Sequence, residues 1–226
     1  MAAPPNPKAL LRAGMDHMRQ ALSPGERADL SERMGDHLLA ALQDGLPPEA
    51  FASLPLRISG FLPIRGEIDP LPFLSRLQAL GAVLMFPATR IRDRCCHLRF
   101  GVLPPAGGAS LPDQMDRWAV PGPMGTREPP PDSLSDLLPH ILLVPALAFD
   151  RRGHRIGWGM GCYDRTLGGM RAPFLAVGIG YDFQLADGDL PDEVHDRPVD
   201  LLATPSGILE CRPGALAAFH AWLRPG

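Results

Sequence analysis

The 226-residue sequence has little net charge of either sign. Its 22 lysines and arginines stand against 25 aspartates and glutamates, for a formal net charge of -3. No basic stripe results, which argues against a nucleic-acid-binding module. Long hydrophobic runs are missing as well. The longest apolar stretch, residues 141–149, is interrupted by Pro145 and is far too short to span a bilayer. Residues 1–7 carry no apolar core ahead of a cleavage site, so the expectation is a soluble cytoplasmic protein with no membrane partner. Cysteine is scarce. Cys95, Cys96, Cys162 and Cys211 are the four, and none forms a C-x-x-C pair, which argues against a zinc site. Adjacent Cys95 and Cys96 cannot easily bridge each other, so reduced thiols in a cytosol are expected. No internal repeat is present.

What the sequence does have is a globular balance, with 45% hydrophobic and 21% charged residues. Its 27 prolines and 24 glycines fall mostly between periodic segments and read as loop punctuation. After Pro7 the spacing predicts a helix whose apolar face holds Leu10, Leu11, Met15, Met18 and Leu22. Lys8 and Arg12, four apart, share a side of it. Ser23 and Glu26 fit a capping box with Pro24 at the first helical position, opening a helix that runs to about Leu42. Residues 56–63 read as a short strand, and Pro70 and Pro72 open a helix stopped by Gly81. Residues 82–86 form an apolar run expected of a buried strand, and Cys96, Leu98 and Phe100 alternate as in a half-exposed one. Residues 101–139 read as a long loop region with one more strand near Trp118. Strands are expected at 141–145, 174–179 and 199–203, and a closing helix at 213–223. Strands alternating with helices predict an α/β fold of three layers, a mostly parallel sheet covered on both faces, in one domain spanning 1–226. Ligand is expected outside the carboxyl ends of the strands.

The segment 155–165 carries the most chemistry. Gly157, Gly159 and Gly161 alternate, and without Cβ atoms they let backbone N–H groups approach an anion. A helix beginning after Gly161 would add its N-terminal dipole. The spacing is neither G-x-G-x-x-G nor a Walker A loop, and a plain structural turn is the alternative reading. Asp164 follows directly. A carboxylate beside phosphates suits Mg²⁺, with Asp196 as a second ligand, whereas a helix cap or an ion pair with Arg165 is the bland account. Lys8 and Arg12 can reach phosphate oxygens or simply form a solvated face. Glu67 can bind a polar substrate group or sit exposed on its loop. His195 can act as a base or remain solvated.

Together these pieces resemble the 5-formyltetrahydrofolate cyclo-ligases, also called methenyltetrahydrofolate synthetases. Four segments carry the resemblance, in the family's order. Lys8 to Arg12 looks like the nucleotide-contacting motif, and residues 61–69 are similar to the folate-contacting segment. Residues 144–150 with 155–165 resemble the family signature. Gln184, Leu190, Pro191, His195, Asp196, Val199 and Asp200 match the C-terminal segment. Residues 125–129 are similar to the family's short turn before the signature strand.

The resemblance implies the three-layer fold shared with sugar-phosphate isomerases and CoA transferases. It implies ATP as co-substrate, held by Lys8, Arg12, Arg155, Gly157, Gly159, Gly161 and Tyr163, with Lys8, Arg155 and Tyr163 at catalytic positions. It implies Mg²⁺ on Asp164 and Asp196, and folate against Leu62, Glu67, Trp158 and Cys162. The implied reaction is a dehydrative ring closure. The formyl oxygen on N5 takes the γ-phosphoryl group, N10 attacks the resulting iminium phosphate, and phosphate leaves. No obligate protein partner is implied. Two positions depart from the pattern. Cys162 stands where the family has a tyrosine, and Met160 stands where a glycine or lysine is common, so Arg155 or Lys8 must supply the charge on phosphate. These departures leave open a relative that binds reduced folate or nucleotide without closing the ring.

Overall fold

The computed structural model describes residues 7–44, 56–92, 95–105, 107–171 and 173–223. Helix α1 spans Pro7–Ala21 and α2 Pro24–Gln43. Ser23 Oγ accepts the Glu26 N–H at 3.2 Å while the Glu26 carboxylate accepts the Ser23 N–H at 2.8 Å, so the capping box forms as its sequence requires. Strand β1 is Arg57–Ser59, followed by α3 at Leu71–Ala79, β2 at Val83–Arg92 and β3 at Cys95–Val102. Next come α4 (Leu111–Trp118), β4 (Val120–Pro121), β5 (Arg127–Glu128), β6 (Leu134–Ser135) and β7 (Ile141–Pro145). Then β8 (Ala148–Phe149), β9 (Arg155–Ile156), α5 (Cys162–Gly169) and β10 (Leu175–Ile179) follow. The chain closes with β11 (Leu201–Thr204), β12 (Gly207–Glu210) and α6 (Ala215–Leu223).

Among the described residues eight strands form one sheet in the order β12-β11-β10-β7-β1-β2-β3-β6. The centre is parallel: β11 with β10, β10 with β7, β7 with β1, and β1 with β2. The edges are antiparallel, where β12 returns on β11 and β3 on β2. Alternate residues of the central strands feed two cores, as period-2 geometry demands. Ile141 and Leu143 join Met34, Leu38 and Phe73 on the face covered by α2, α3, α4 and α6. Leu142 and Val144 join Phe149 and Leu167 on the face covered by α5. The strand is buried on both faces, which is why its sequence is a continuous apolar run rather than an alternation. This is the expected three-layer α/β arrangement. No helix among the described residues is long and apolar enough to cross a membrane.

Three expectations change. The 101–139 region, read as loop with a strand near Trp118, does hold that strand as β4 but also contains helix α4, since Ser110 caps a turn that Pro112 and Asp113 favour. Strand β2 runs well past Phe86, because β3 pairs with it as far as Arg92. The face of α1 is also different: Leu10 and Met18 are 59% and 43% exposed, while Arg19 is wholly buried.

Candidate active site

A cleft of about 730 Å³ opens beyond the carboxyl ends of β1 and β7. Its walls contain Lys8, Arg12, Leu62, Glu67, Arg155, Gly157, Trp158, Gly159, Gly161, Cys162, Tyr163, Asp164 and Asp196. These residues come from four separate stretches of sequence, which the topology gathers at the carboxyl end of the sheet.

The glycine loop joins β9 to α5. Gly159 (φ +95°) and Gly161 (φ +63°) both occupy the left-handed region, and Gly161 is the residue before the helix. A side chain at Gly159 would be strained by that φ, although its Cβ would only reach ordinary contact with the Arg12 guanidinium at 3.5 Å. Arg12 holds the loop from α1, its Nε donating to the Gly157 carbonyl at 2.9 Å. Lys8 lies one turn earlier, its Nζ 3.4 Å from Glu193.

The loop is braced from below by Asp150, which is fully buried. Its carboxylate accepts the N–H groups of Arg152, His154 and Leu190 at 2.9–3.0 Å. Gln184 bridges the next layer, its Nε2 donating to the Ala146 and Leu147 carbonyls while its Oε1 accepts the Tyr181 N–H. These residues of the resemblance are thus structural in this chain.

Arg155 and Asp164 form a close pair. Arg155 Nη2 donates to Asp164 Oδ1 at 2.7 Å, and Arg155 Nη1 donates to the Arg197 carbonyl. The same Asp164 oxygen accepts the Arg197 N–H at 3.1 Å. Burial pulls the Arg155 guanidinium below the usual arginine range, with Asp164 opposing the shift. Arginine is still charged there. Asp196 uses Oδ2 to accept the Glu193 N–H at 2.9 Å. Among the described residues Asp164 Oδ2 and Asp196 Oδ1 make no hydrogen bond, so each aspartate keeps one oxygen for a ligand. No cluster of three or more His, Cys, Asp or Glu side chains suited to a metal occurs among the described residues. Two carboxylates with one unpaired oxygen each could serve a cation that takes one or two carboxylates and keeps its waters. Asp164 pairs with Arg155, not with Arg165, whose Nη1 donates to the Met160 and Cys96 carbonyls.

On the opposite wall, residues 64–67 make a tight turn. Arg65 (φ +48°) and Gly66 (φ +70°) are both left-handed, and the Glu67 N–H donates to the Ile64 carbonyl at 3.0 Å, as in a type I′ turn. The Glu67 carboxylate folds back to accept the Ile64 N–H at 3.1 Å. Glu67 is buried, not exposed, and burial raises its pKa above the ordinary glutamate value. Tyr163 is pushed above the usual tyrosine range by burial and by the Glu67 charge. It stays protonated, a hydrogen-bond donor and not a base. Trp158 is half exposed over the cleft, with the Arg65 guanidinium 4.7 Å from its ring centroid. His195 is mostly solvent-exposed, near Glu193.

Cys162 differs from expectation. It is bonded to Cys96 on β3, across a Cα–Cα distance of 4.7 Å, while Cys95 and Cys211 are free. The reduced-thiol expectation therefore fails for this pair. Packing of α5 on β3 brings together two side chains separated by 66 residues in sequence, a tertiary contact that spacing does not reveal. Arg19 and Arg65 were missed at the sequence level. For Arg19 a signal existed: at 3.6 residues per turn it lies close to the same helical face as Lys8 and Arg12.

The 5-formyltetrahydrofolate cyclo-ligase family model matches residues 5–205. The chain is 34% identical over 170 residues to a 5-formyltetrahydrofolate cyclo-ligase of Mycolicibacterium smegmatis, covering 70% of this chain and 80% of that one. It is 28% identical over 197 residues to the Escherichia coli 5-formyltetrahydrofolate cyclo-ligase, covering 85% and 97%. The Aquifex aeolicus 5,10-methenyltetrahydrofolate synthetase superposes with a TM-score of 0.66 at 29% identity, covering 92% of this chain and 94% of that chain. The Mycoplasma pneumoniae 5,10-methenyltetrahydrofolate synthetase superposes at 0.61 with 22% identity, covering 88% and 99%, and supports the fold. The chain belongs to the 5-formyltetrahydrofolate cyclo-ligase family.

Proposed function

From membership of this family we propose that the chain, as one domain spanning 1–226, converts 5-formyltetrahydrofolate and ATP to 5,10-methenyltetrahydrofolate, ADP and phosphate. The observation that supports this best is the meeting of two unlike walls in one cleft: the cationic glycine loop and the buried Glu67 turn, with Trp158 between them.

The polyphosphate lies along the loop from Gly157 to Gly161. Backbone N–H groups, the start of α5, Lys8 and Arg12 offset its charge there. Arg155 holds Asp164 in place and adds positive charge to that wall. Asp164 and Asp196 would hold Mg²⁺, which would offset charge on the transferring phosphoryl group. The folate sits against Leu62 and Trp158, with Glu67 on its polar edge and Cys162 bounding the pocket as half of a disulfide. The formyl oxygen takes the γ-phosphoryl group, which turns a poor leaving group into a good one. Tyr163 donates a hydrogen bond from its protonated phenol to the oxygen that gathers charge. N10 then attacks the activated carbon of the same molecule, its N–H proton passes through solvent to the departing phosphate, and the C–O bond breaks as phosphate leaves; holding the two nitrogens close supplies much of the rate. The protein's role in these steps is alignment and charge neutralisation, and no side chain forms a covalent bond. A cytoplasmic location is part of the proposal.

The test is ADP release by the purified chain with ATP and Mg²⁺, with and without 5-formyltetrahydrofolate. Release that requires the folate supports the reading. Equal release without it, or none with it, overturns the reading.

A further inference from the structure

Arg19 is a large cation in an unfavourable place. It sits at the end of α1 with its side chain 1% exposed, and its Nε and Nη1 make no hydrogen bond among the described residues. Its charge is met by two carboxylates, with Nη2 donating a long hydrogen bond to Asp16 Oδ1 at 3.4 Å and Nη1 lying 3.5 Å from Glu67 Oε1. A buried guanidinium with unmatched N–H groups lowers stability, and an apolar side chain of similar size would pack there more favourably. Stability therefore does not explain Arg19.

Its surroundings do. Arg19 lies outside the cleft wall, directly behind Glu67, which lines the cleft. The end of α1 and the 64–67 turn touch backbone to backbone. A Cβ on Gly66 would lie 2.9 Å from the Arg19 carbonyl oxygen, so only glycine allows the approach. The Arg19 guanidinium also lies 5.9 Å from the centre of the Trp158 ring. One side chain thus meets the folate-side turn and the glycine loop from behind. It does so from the helix face that presents Lys8 and Arg12 to the cleft.

We propose that Arg19 is the positioning residue for Glu67. Its buried charge fixes the Glu67 carboxylate in its ionised, folded-back pose and ties that pose to the helix that holds the nucleotide wall. The inference rests on the reading of Glu67 as the acid that binds the folate. The other titratable or charged groups facing Glu67 are Asp16 from α1, Tyr163 from α5 and Tyr181 beyond β10, with Arg27 of α2 beside Gly66. Of these only Arg19 and Arg27 are cationic, and Arg19 is the one in ion-pair range of the carboxylate.

The test is steady-state kinetics against pH for wild type, Arg19→Met, Arg19→Lys, Glu67→Gln and the Arg19→Met/Glu67→Gln double variant. Removing the Arg19 charge disfavours ionised Glu67, so the acid limb of kcat/KM for the folate moves to higher pH. The folate KM rises by about tenfold, the equivalent of about 1.4 kcal/mol, while the ATP KM stays unchanged. Arg19→Lys returns the acid limb toward wild type. In the Glu67→Gln background Arg19→Met has no further effect on the folate KM, because the two residues act as one unit. Arg19→Gln carries the same expectations as Arg19→Met and decides the matter if the methionine variant does not fold. A wild-type acid limb and folate KM in the neutral variants overturns the proposal. So does an equal loss with and without Glu67, which marks a purely structural residue. If Glu67→Gln alone leaves the folate KM unchanged, the role of Glu67 itself is what fails.

Discussion

The Arg12 guanidinium donates to the carbonyl of Gly157 at 2.9 Å, so the first helix of the chain holds the first glycine of a loop 145 residues away. The loop is shaped by that tether as much as by its own glycines. The side chain proposed to meet phosphate thus also fixes the backbone proposed to cradle it.

Arg12→Ala therefore removes both a charge and a brace. The ATP KM is expected to rise about tenfold or more, the scale of one lost charge-assisted contact, with the folate KM little changed. Arg12→Lys keeps the charge but not the planar donor, and recovers only part of the loss. Initial rates at varied ATP measure this.

Asp164→Asn tests the opposite side of the loop. Turnover is expected to fall at least about tenfold, and the Mg²⁺ concentration needed for half-maximal rate to rise, if this aspartate holds the cation. The Arg155 charge also loses its counter-ion, at a cost of roughly 2 kcal/mol in unfolding stability, read from denaturant midpoints. Arg155 is nearly buried and Asp164 partly exposed, so solvent screens some of this. An unchanged Mg²⁺ dependence removes Asp164 from the metal site.

The Cys96–Cys162 bond joins residues 66 apart and pins the start of α5 to β3. Cys96→Ser is expected to lower stability by about 4 kcal/mol in oxidised protein, from the loop closed in the unfolded chain. In excess dithiothreitol wild type and variant should unfold together. Equal midpoints without reductant would show that the bond contributes nothing.

His140 supplies a pH prediction away from the cleft. Burial, reinforced by the Arg57 charge, lowers its pKa from 6.5 to about 4, and its Nδ1 accepts the Arg57 N–H at 3.2 Å. The folded state holds His140 neutral while the unfolded chain takes up a proton. The stability is present above pH 6.5 and is lost as pH falls toward about 4. Melting temperatures across that window should fall more steeply for wild type than for His140→Gln.

The elements legible in the sequence are those whose signal is local. The capping box at Ser23 and Glu26 formed as read, and the apolar runs at β7 and β10 became central strands, because burial on both faces leaves one pattern. All the proposed site residues line one cleft at the carboxyl end of the sheet. What was not legible depends on partners distant in sequence. On α1, counting apolar residues pointed to Leu10 and Met18, yet the buried position belongs to Arg19, whose partner Glu67 lies on another element. A buried ion pair has no hydrophobic period. The Cys96–Cys162 bond is likewise tertiary, set by how α5 and β3 pack, whereas the extension of β2 follows from its hairpin pairing with β3.

Closure of the folate ring with ATP in this cleft is the proposal on which the residue roles depend. Near-ultraviolet absorbance of the purified protein with 5-formyltetrahydrofolate and Mg²⁺, with and without ATP, tests it most directly. The methenyl product's own band is expected to grow only when ATP is present. No growth of that band, in protein that 5-formyltetrahydrofolate still protects from thermal unfolding, would contradict it and leave a folate-binding protein without the chemistry.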